Sequence, residues 1–495
     1  MMRSEQNISF VICLNLVCFW IISEATVINV KRFNNESTEM LTTRLESISV
    51  FDIEKLVRGY GYTFEKHPVS TEDGFNLELH RISKQNKVQN EADAEESKPV
   101  VLIMHDILGT SADFLISGPA NSLAFQLVDQ GYDVWLGNNR GNTWSRSHDN
   151  LKTTDKKFWD FSYHELGVYD APAMIDYILE QTKQSYLSYV GFSQGATQLF
   201  VMLSEKPEYN EKIKIMTALA PMVYMKNVNH IVLKLIAHLD GLVEWTEKTL
   251  NIHEFLSHDS IISTAGNILC GNHSIVQGMC SFVMSFFLGF DSESTKKEML
   301  SHLLEVYPGG SSLKEFRHYA QGISTGKFRQ YNYGIMTNFE KYKNGTPPEY
   351  DLKRIKTPVA LFYGQNDWLV NVKDEDKLKS ELTNVVDNYL IKNEHFNHGD
   401  FIFSGDANSL VNFYVINTLN KYNNKTEMTS TISTTVATTS KPSSASTDKK
   451  PTTISSTSKP TTTDQPSSSC TTYSSSFLVF IHIFSTGFVG VIMKY

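Results

Sequence analysis

Between residues 60 and 220 the chain alternates short runs of consecutive apolar residues with longer stretches of helical spacing. That rhythm predicts a mostly parallel sheet covered by helices. Val100-Val101-Leu102-Ile103-Met104 and Tyr132-Asp133-Val134-Trp135-Leu136 read as buried strands, with a crossover helix over 121–130 between them. Tyr186-Leu187-Ser188-Tyr189-Val190 reads as a further strand and 196–203 as a buried helix. Late strands are expected at Val359-Ala360-Leu361-Phe362-Tyr363 and Asn388-Tyr389-Leu390-Ile391. The acidic stretch 89–97 has the pattern of a solvated hairpin insertion. From 221 to about 330 the pattern turns helical and rich in Leu, Ile, Met and Phe, which reads as a cap over the carboxyl ends of the strands or as an ordinary helical subdomain.

The two ends do not follow this pattern. Arg3 precedes an apolar run at 8–22, followed by Ser23-Glu24-Ala25 in the small-x-small form of a signal-peptidase site. Residues 1–25 are therefore expected to be a secretory signal, the run being shorter than the ~20 residues of a spanning helix; an uncleaved anchor is the alternative. Residues 26–424 form the expected folded domain. Residues 425–476 are dominated by Ser, Thr, Pro and Lys, a composition that buries no core and suits a disordered, O-glycosylated stalk. An apolar tail at 477–495 follows, with Ser467, Ser468 and Ser469 upstream, as in a GPI-anchor signal. A tail-anchored helix is its rival.

With 41% hydrophobic residues the chain supports a sizeable core, and its net charge of -9 disfavours nucleic acid as a partner. Loss of the signal removes Cys13 and Cys18, leaving Cys270, Cys280 and Cys470 of the five cysteines. Cys270 and Cys280 are close enough in sequence to close a short loop and are expected to pair. Cys470 would leave with the tail if cleavage falls at 467–469. N-glycosylation sequons begin at Asn35, Asn272, Asn344 and Asn424.

The chemistry centres on Gly191-Phe192-Ser193-Gln194-Gly195. A G-x-S-x-G string between a strand and a helix has the context of a nucleophile elbow, in which a strained turn exposes a serine and its glycine neighbours avoid collision. In this architecture an acid and then a base follow the serine in chain order. Asp367, in the turn after a buried strand, fits the acid, whereas Asp374, Glu375 and Asp376 read as a solvated helix start. His398 fits the base, and His395 in the same loop is not separated from it by local chemistry. The oxyanion needs two backbone N–H donors. Gln194 follows the nucleophile, and Ile107 lies in the early loop His105-Asp106-Ile107-Leu108-Gly109.

These residues, together with Thr71-Glu72-Asp73-Gly74-Phe75, Gly131 through Asn142, Phe158-Trp159-Asp160-Phe161-Ser162, Gly167-Val168-Tyr169-Asp170 and Pro308-Gly309-Gly310-Ser311-Ser312, give the chain a specific resemblance to the acid lipases over about 51–417. That family of α/β-hydrolases includes lysosomal acid lipase and gastric lipase. The resemblance implies an α/β-hydrolase fold with a cap and lid at 221–330, Ser193, Asp367 and His398 as the triad, and Ile107 and Gln194 as oxyanion donors. It also implies the Cys270–Cys280 pairing. The implied activity is hydrolysis of neutral lipid esters such as triacylglycerols or cholesteryl esters at a membrane or lipid-droplet surface, with no metal and no organic cofactor. One departure stands out. The family has His-Gly where this chain has His105-Asp106, placing a carboxylate where it either opposes developing negative charge, points to solvent or pairs with a base. A surface-tethered lipid-binding or adhesion protein with impaired catalysis is the alternative function. The expected destination is the extracellular space or the cell surface, with a lysosomal location as the alternative.

Overall fold

The computed structural model describes residues 51–84, 98–230 and 307–424, together with scattered positions between 233 and 306. All of these belong to one unit, Met1–Met428; the second unit, Thr429–Tyr495, lies outside the described residues. The signal, the hairpin insertion at 89–97, Cys270 and Cys280, Asn35, Asn272, the stalk and the tail also lie outside them.

The strands are β1 (Tyr62–Ser70), β2 (Phe75–Lys84), β3 (Val100–Met104), β4 (Asp133–Leu136), β5 (Ser147–His148), β6 (Leu187–Phe192), β7 (Ile213–Leu219), β8 (Glu254–Phe255), β9 (Ser311–Ser312), β10 (Val359–Gly364) and β11 (Val385–Ile391). Among the described residues the main sheet has nine strands, in the order β1-β2-β4-β3-β6-β7-β10-β11 with β5 on β2, while β8 and β9 pair separately. From β4 to β11 all neighbours are parallel. The helices used below are α1 (Ile53–Gly59), α2 (Leu123–Asp129), α3 (Ala171–Thr182), α4 (Gln194–Glu205), α5 (Leu313–Thr325), α6 (Ile335–Tyr342), α7 (Val372–Glu381) and α8 (Phe413–Tyr422).

The central strands β3, β4, β6 and β10 are buried at every position, because helices cover both faces of a parallel sheet and alternation disappears. The first part of the chain departs from the expected parallel pattern. β1 and β2 form an antiparallel hairpin, and β2 joins β4 antiparallel. Its cause is local: Gly74 adopts φ +94°, and the Thr71 hydroxyl accepts the Phe75 N–H at 2.9 Å, turning the chain back on itself. Phe75, Leu77 and Leu79 then bury alternate positions of β2.

Helix α4 is buried from Gln194 through Ser204, since its apolar residues run all round the cylinder. Two of its hydroxyls are paired, the Thr197 hydroxyl donating to Met222 O at 2.9 Å and that of Ser204 to Phe200 O at 2.8 Å. A rigid helix packed on all sides therefore fixes the turn that precedes it.

Candidate active site

Ser193 occupies that turn, between the end of β6 and the start of α4, with φ 54° and ψ -113°. A non-glycine residue in this region is strained, and it persists only where its surroundings over-determine it. Here the Ser193 N–H donates to Leu219 O on β7 at 2.8 Å, and the Tyr189 hydroxyl donates to Gly195 O at 2.6 Å. A side chain at Gly191 would meet the Ala196 nitrogen and the Gly195 carbonyl carbon at 2.5 Å, and one at Gly195 would strike the Met104 carbonyl. Both glycines are thus required by close backbone approach, and the second brings the end of β3 against the elbow.

The loops after β10 and β11 supply the other two groups. His398 Nε2 lies 2.9 Å from Ser193 Oγ, and His398 Nδ1 lies 2.9 Å from Asp367 Oδ2. A carboxylate accepts, so Nδ1–H donates to Asp367 and Nε2 is left to accept the serine proton. Asp367 Oδ1 accepts the N–H groups of Leu369 and Val370 at 2.8 and 2.9 Å, which locks the carboxylate. All three residues are buried, and the Phe192 ring lies 5.0 Å from the imidazole. His395 is exposed on the same loop, outside this chain of hydrogen bonds. Asn397 went unnoticed in the sequence. Its Oδ1 accepts from both Trp368 N at 2.9 Å and His398 N at 2.8 Å, joining the acid loop to the histidine loop. No local pattern marks such a bridge, because it depends on two loops meeting.

Asp374 and Glu375 do start a helix, α7, but contrary to the expected solvated start both are buried. The loop after β7 folds over them, with Asn227 N and Nδ2 each donating to Asp374 at 2.8 Å. Glu375 has no hydrogen-bond partner on either oxygen among the described residues, and burial raises its carboxyl well above the usual range.

The loop after β3 is fixed from inside. His105 is buried; its Nδ1–H donates to Asp106 O at 2.6 Å, and its Nε2 accepts from Asn139 N at 3.1 Å. Burial lowers this histidine to about 4, keeping it neutral. The Asp106–Ile107 peptide is thereby held by its carbonyl. Neither Ile107 N nor Gln194 N donates a hydrogen bond among the described residues. Two backbone N–H groups without partners are what a tetrahedral oxyanion needs from its donors.

The Asp106 side chain does not point to solvent. It is buried, Oδ1 accepts the Leu108 N–H at 3.1 Å, and the Tyr307 hydroxyl donates to Oδ2 at 3.4 Å. Burial raises its carboxyl to about 6, opposed chiefly by the charge of His398. Glu315, near the start of α5, is buried beside the Gln194 side chain and accepts from the Ser311 hydroxyl; burial raises it to about 8. The sequon residues Asn344 and Asn424 are both exposed. No group of three or more His, Cys, Asp or Glu is arranged to hold a metal among the described residues, nor does any helix there have the length and apolarity to cross a membrane.

Two family models match this chain: a partial alpha/beta-hydrolase lipase region over residues 53–118, and the alpha/beta hydrolase fold over residues 99–403. Lipase 3 of Drosophila melanogaster is 38% identical over 75% of this chain and 94% of its own length. Gastric triacylglycerol lipase of Bos taurus is 34% identical over 72% and 88%. Lysosomal acid lipase/cholesteryl ester hydrolase of Macaca fascicularis is 33% identical over 75% and 91%. Matches of this extent cover both the sheet and the loops that carry Ser193, Asp367 and His398. The chain belongs to the α/β-hydrolase lipase family.

Proposed function

We propose that this protein is a serine carboxylic-ester hydrolase whose substrates are neutral lipid esters, triacylglycerols and cholesteryl esters among them. The single observation that carries the reading is the continuous chain from Ser193 Oγ through His398 to Asp367, with both links at 2.9 Å. Ser193 Oγ attacks the ester carbonyl while His398 Nε2 takes its proton, and Asp367 stabilises the imidazolium through Nδ1–H. Negative charge on the former carbonyl oxygen is met by the N–H groups of Ile107 and Gln194. His398 returns the proton to the departing alcohol, leaving an acyl-enzyme. It then takes a proton from water as the water attacks, and the carboxylic acid leaves with Ser193 restored. No step requires a metal or an organic cofactor. The lipid class rests on the relatives, which are named as triacylglycerol and cholesteryl ester hydrolases.

A fluorophosphonate probe is expected to label the purified protein at Ser193, and labelling should disappear in Ser193→Ala. Wild-type protein that hydrolyses an emulsified triacylglycerol or cholesteryl ester panel supports the lipase reading. Protein that binds those lipids without turnover or labelling would instead be a surface-tethered binding or adhesion protein.

The finer localisation is part of the same proposal. Residues 1–25 direct the chain into the secretory pathway, Cys270 and Cys280 pair there, and Asn35, Asn272, Asn344 and Asn424 are glycan acceptors. The stalk at 425–476 lifts the catalytic domain from the outer cell surface, where a GPI anchor replaces the tail at 477–495. Phosphatidylinositol-specific phospholipase is expected to release the protein from intact cells. Protein that stays bound and retains peptides from 477–493 would carry a spanning tail. Recovery from lysosomes would reject surface display without touching the hydrolase reading.

A further inference from the structure

The stretch Pro308-Gly309-Gly310-Ser311-Ser312 belongs to none of the catalytic loops, yet its neighbours reach both proposed oxyanion donors. On one side, the Gly309 N–H donates to Leu108 O at 2.6 Å, and the Tyr307 hydroxyl donates to the Asp106 carboxyl. Gly309 has no room for a side chain, since a Cβ there would run into the Thr110 methyl. The Thr143 hydroxyl donates to Gly309 O at 3.3 Å, fixing the other edge of the same residue. Asp106 then passes this anchorage to Ile107, because its carboxylate accepts the Leu108 N–H while its carbonyl accepts from His105.

On the other side, Ser312 caps α5 by accepting the Glu315 N–H at 3.1 Å, and its hydroxyl donates to Phe161 O at 2.5 Å. Ser311 donates to the Glu315 carboxyl, which lies buried beside the Gln194 side chain. Ser311, Ser312, Glu315 and Tyr307 are all buried, so water does not compete for these bonds.

We infer that Tyr307 to Glu315 forms a strap that sets the oxyanion hole from behind, with Asp106 and Glu315 as positioning residues for the Ile107 and Gln194 donors. The inference rests on the hydrolase reading given above. It assigns Asp106 a constructive role: its carboxylate is consumed in holding the loop and the strap together. An oxyanion hole works only when its donors are preorganised, and a displacement near 1 Å is enough to cost about a hundredfold in rate. Loosening either end should therefore lower kcat without weakening substrate binding.

The experiment compares Asp106→Ala, Asp106→Asn, Glu315→Ala, Glu315→Gln, Tyr307→Phe and Asp106→Ala/Tyr307→Phe with wild type in the full chain. The substrate is a water-soluble p-nitrophenyl ester, and near-UV circular dichroism gives the folded fraction. Each alanine variant is expected to lower kcat per folded molecule by about tenfold to a hundredfold with KM little changed. Asp106→Asn, which keeps the acceptor for Leu108 N–H, and Glu315→Gln should recover most of the loss. Tyr307→Phe should lower kcat less, and add nothing to Asp106→Ala. Wild-type kcat in both alanine variants, losses confined to KM, or fully additive losses in the double variant would overturn the strap. Should the alanine variants not fold, an unchanged kcat in Tyr307→Phe, which removes one oxygen, overturns it. Wild-type protein that neither turns over nor takes the serine probe overturns the hydrolase reading and the strap together. An active, labelled wild type with unaffected variants overturns the strap alone.

Discussion

Replacing Ser193 or His398 by alanine is expected to lower kcat for ester hydrolysis by on the order of 10⁶, and replacing both should cost little more. The two act as one unit, since Ser193 Oγ sits 2.9 Å from His398 Nε2 and neither attack nor proton removal proceeds without the other. The serine hydroxyl is small and its strained backbone is held by Leu219 O, so Ser193→Ala should leave the fold intact. His395→Ala, on an exposed residue outside the hydrogen-bonded chain, should retain wild-type turnover. Steady-state kinetics on a soluble ester, with unfolding midpoints for each variant, checks the set. Substantial turnover in Ser193→Ala would remove the catalytic assignment.

Asp367→Asn should lower kcat by about 10⁴ while KM stays close to wild type. An amide in place of the carboxylate can present its NH₂ group to His398 Nδ1, which then accepts instead of donating. The proton moves to Nε2, where it faces Ser193 and blocks general-base catalysis. Leu369 N and Val370 N would still find an acceptor in the amide oxygen, so the turn after β10 survives. Tautomer-sensitive nitrogen NMR of the His398 ring reads this directly: Nδ1–H in the wild type, Nε2–H in the variant. A variant that loses activity but keeps the Nδ1–H tautomer would place the role of Asp367 elsewhere.

The sheet was legible in sequence at most of the strands buried on both faces, although β7 went unread. Val100–Met104 and Val359–Gly364 announce themselves as unbroken apolar runs because both sides meet helices. The hairpin of β1 and β2 was not, since Glu65, Lys66, Glu78 and Arg81 interrupt it and Pro68 argues against a strand. Only the end of β11 was read, for most of that strand is partly exposed. Ser193 was readable as the candidate nucleophile because its constraint is local, with glycines forced by a turn within five residues. What separates His398 from His395 is burial, and burial is decided by packing against β6. Asp374 and Glu375 show the same limit: charge predicts solvation, and only the approach of Asn227 reverses it. The surroundings of Asp106 were out of reach for the same reason, since Tyr307 stands 201 positions along the chain.

Ser193 and His398 are 205 residues apart, and the histidine follows β11, the final strand of the sheet. A chain still emerging during synthesis can complete its elbow, with β3, β6 and β7 already paired, and yet possess no base. On the proposed mechanism the hydrolase is consequently inert until His398 arrives, and becomes competent only once nearly the whole domain has been made and closed. Chain order alone thus supplies a delay of the kind that a cleavable propeptide provides by other means.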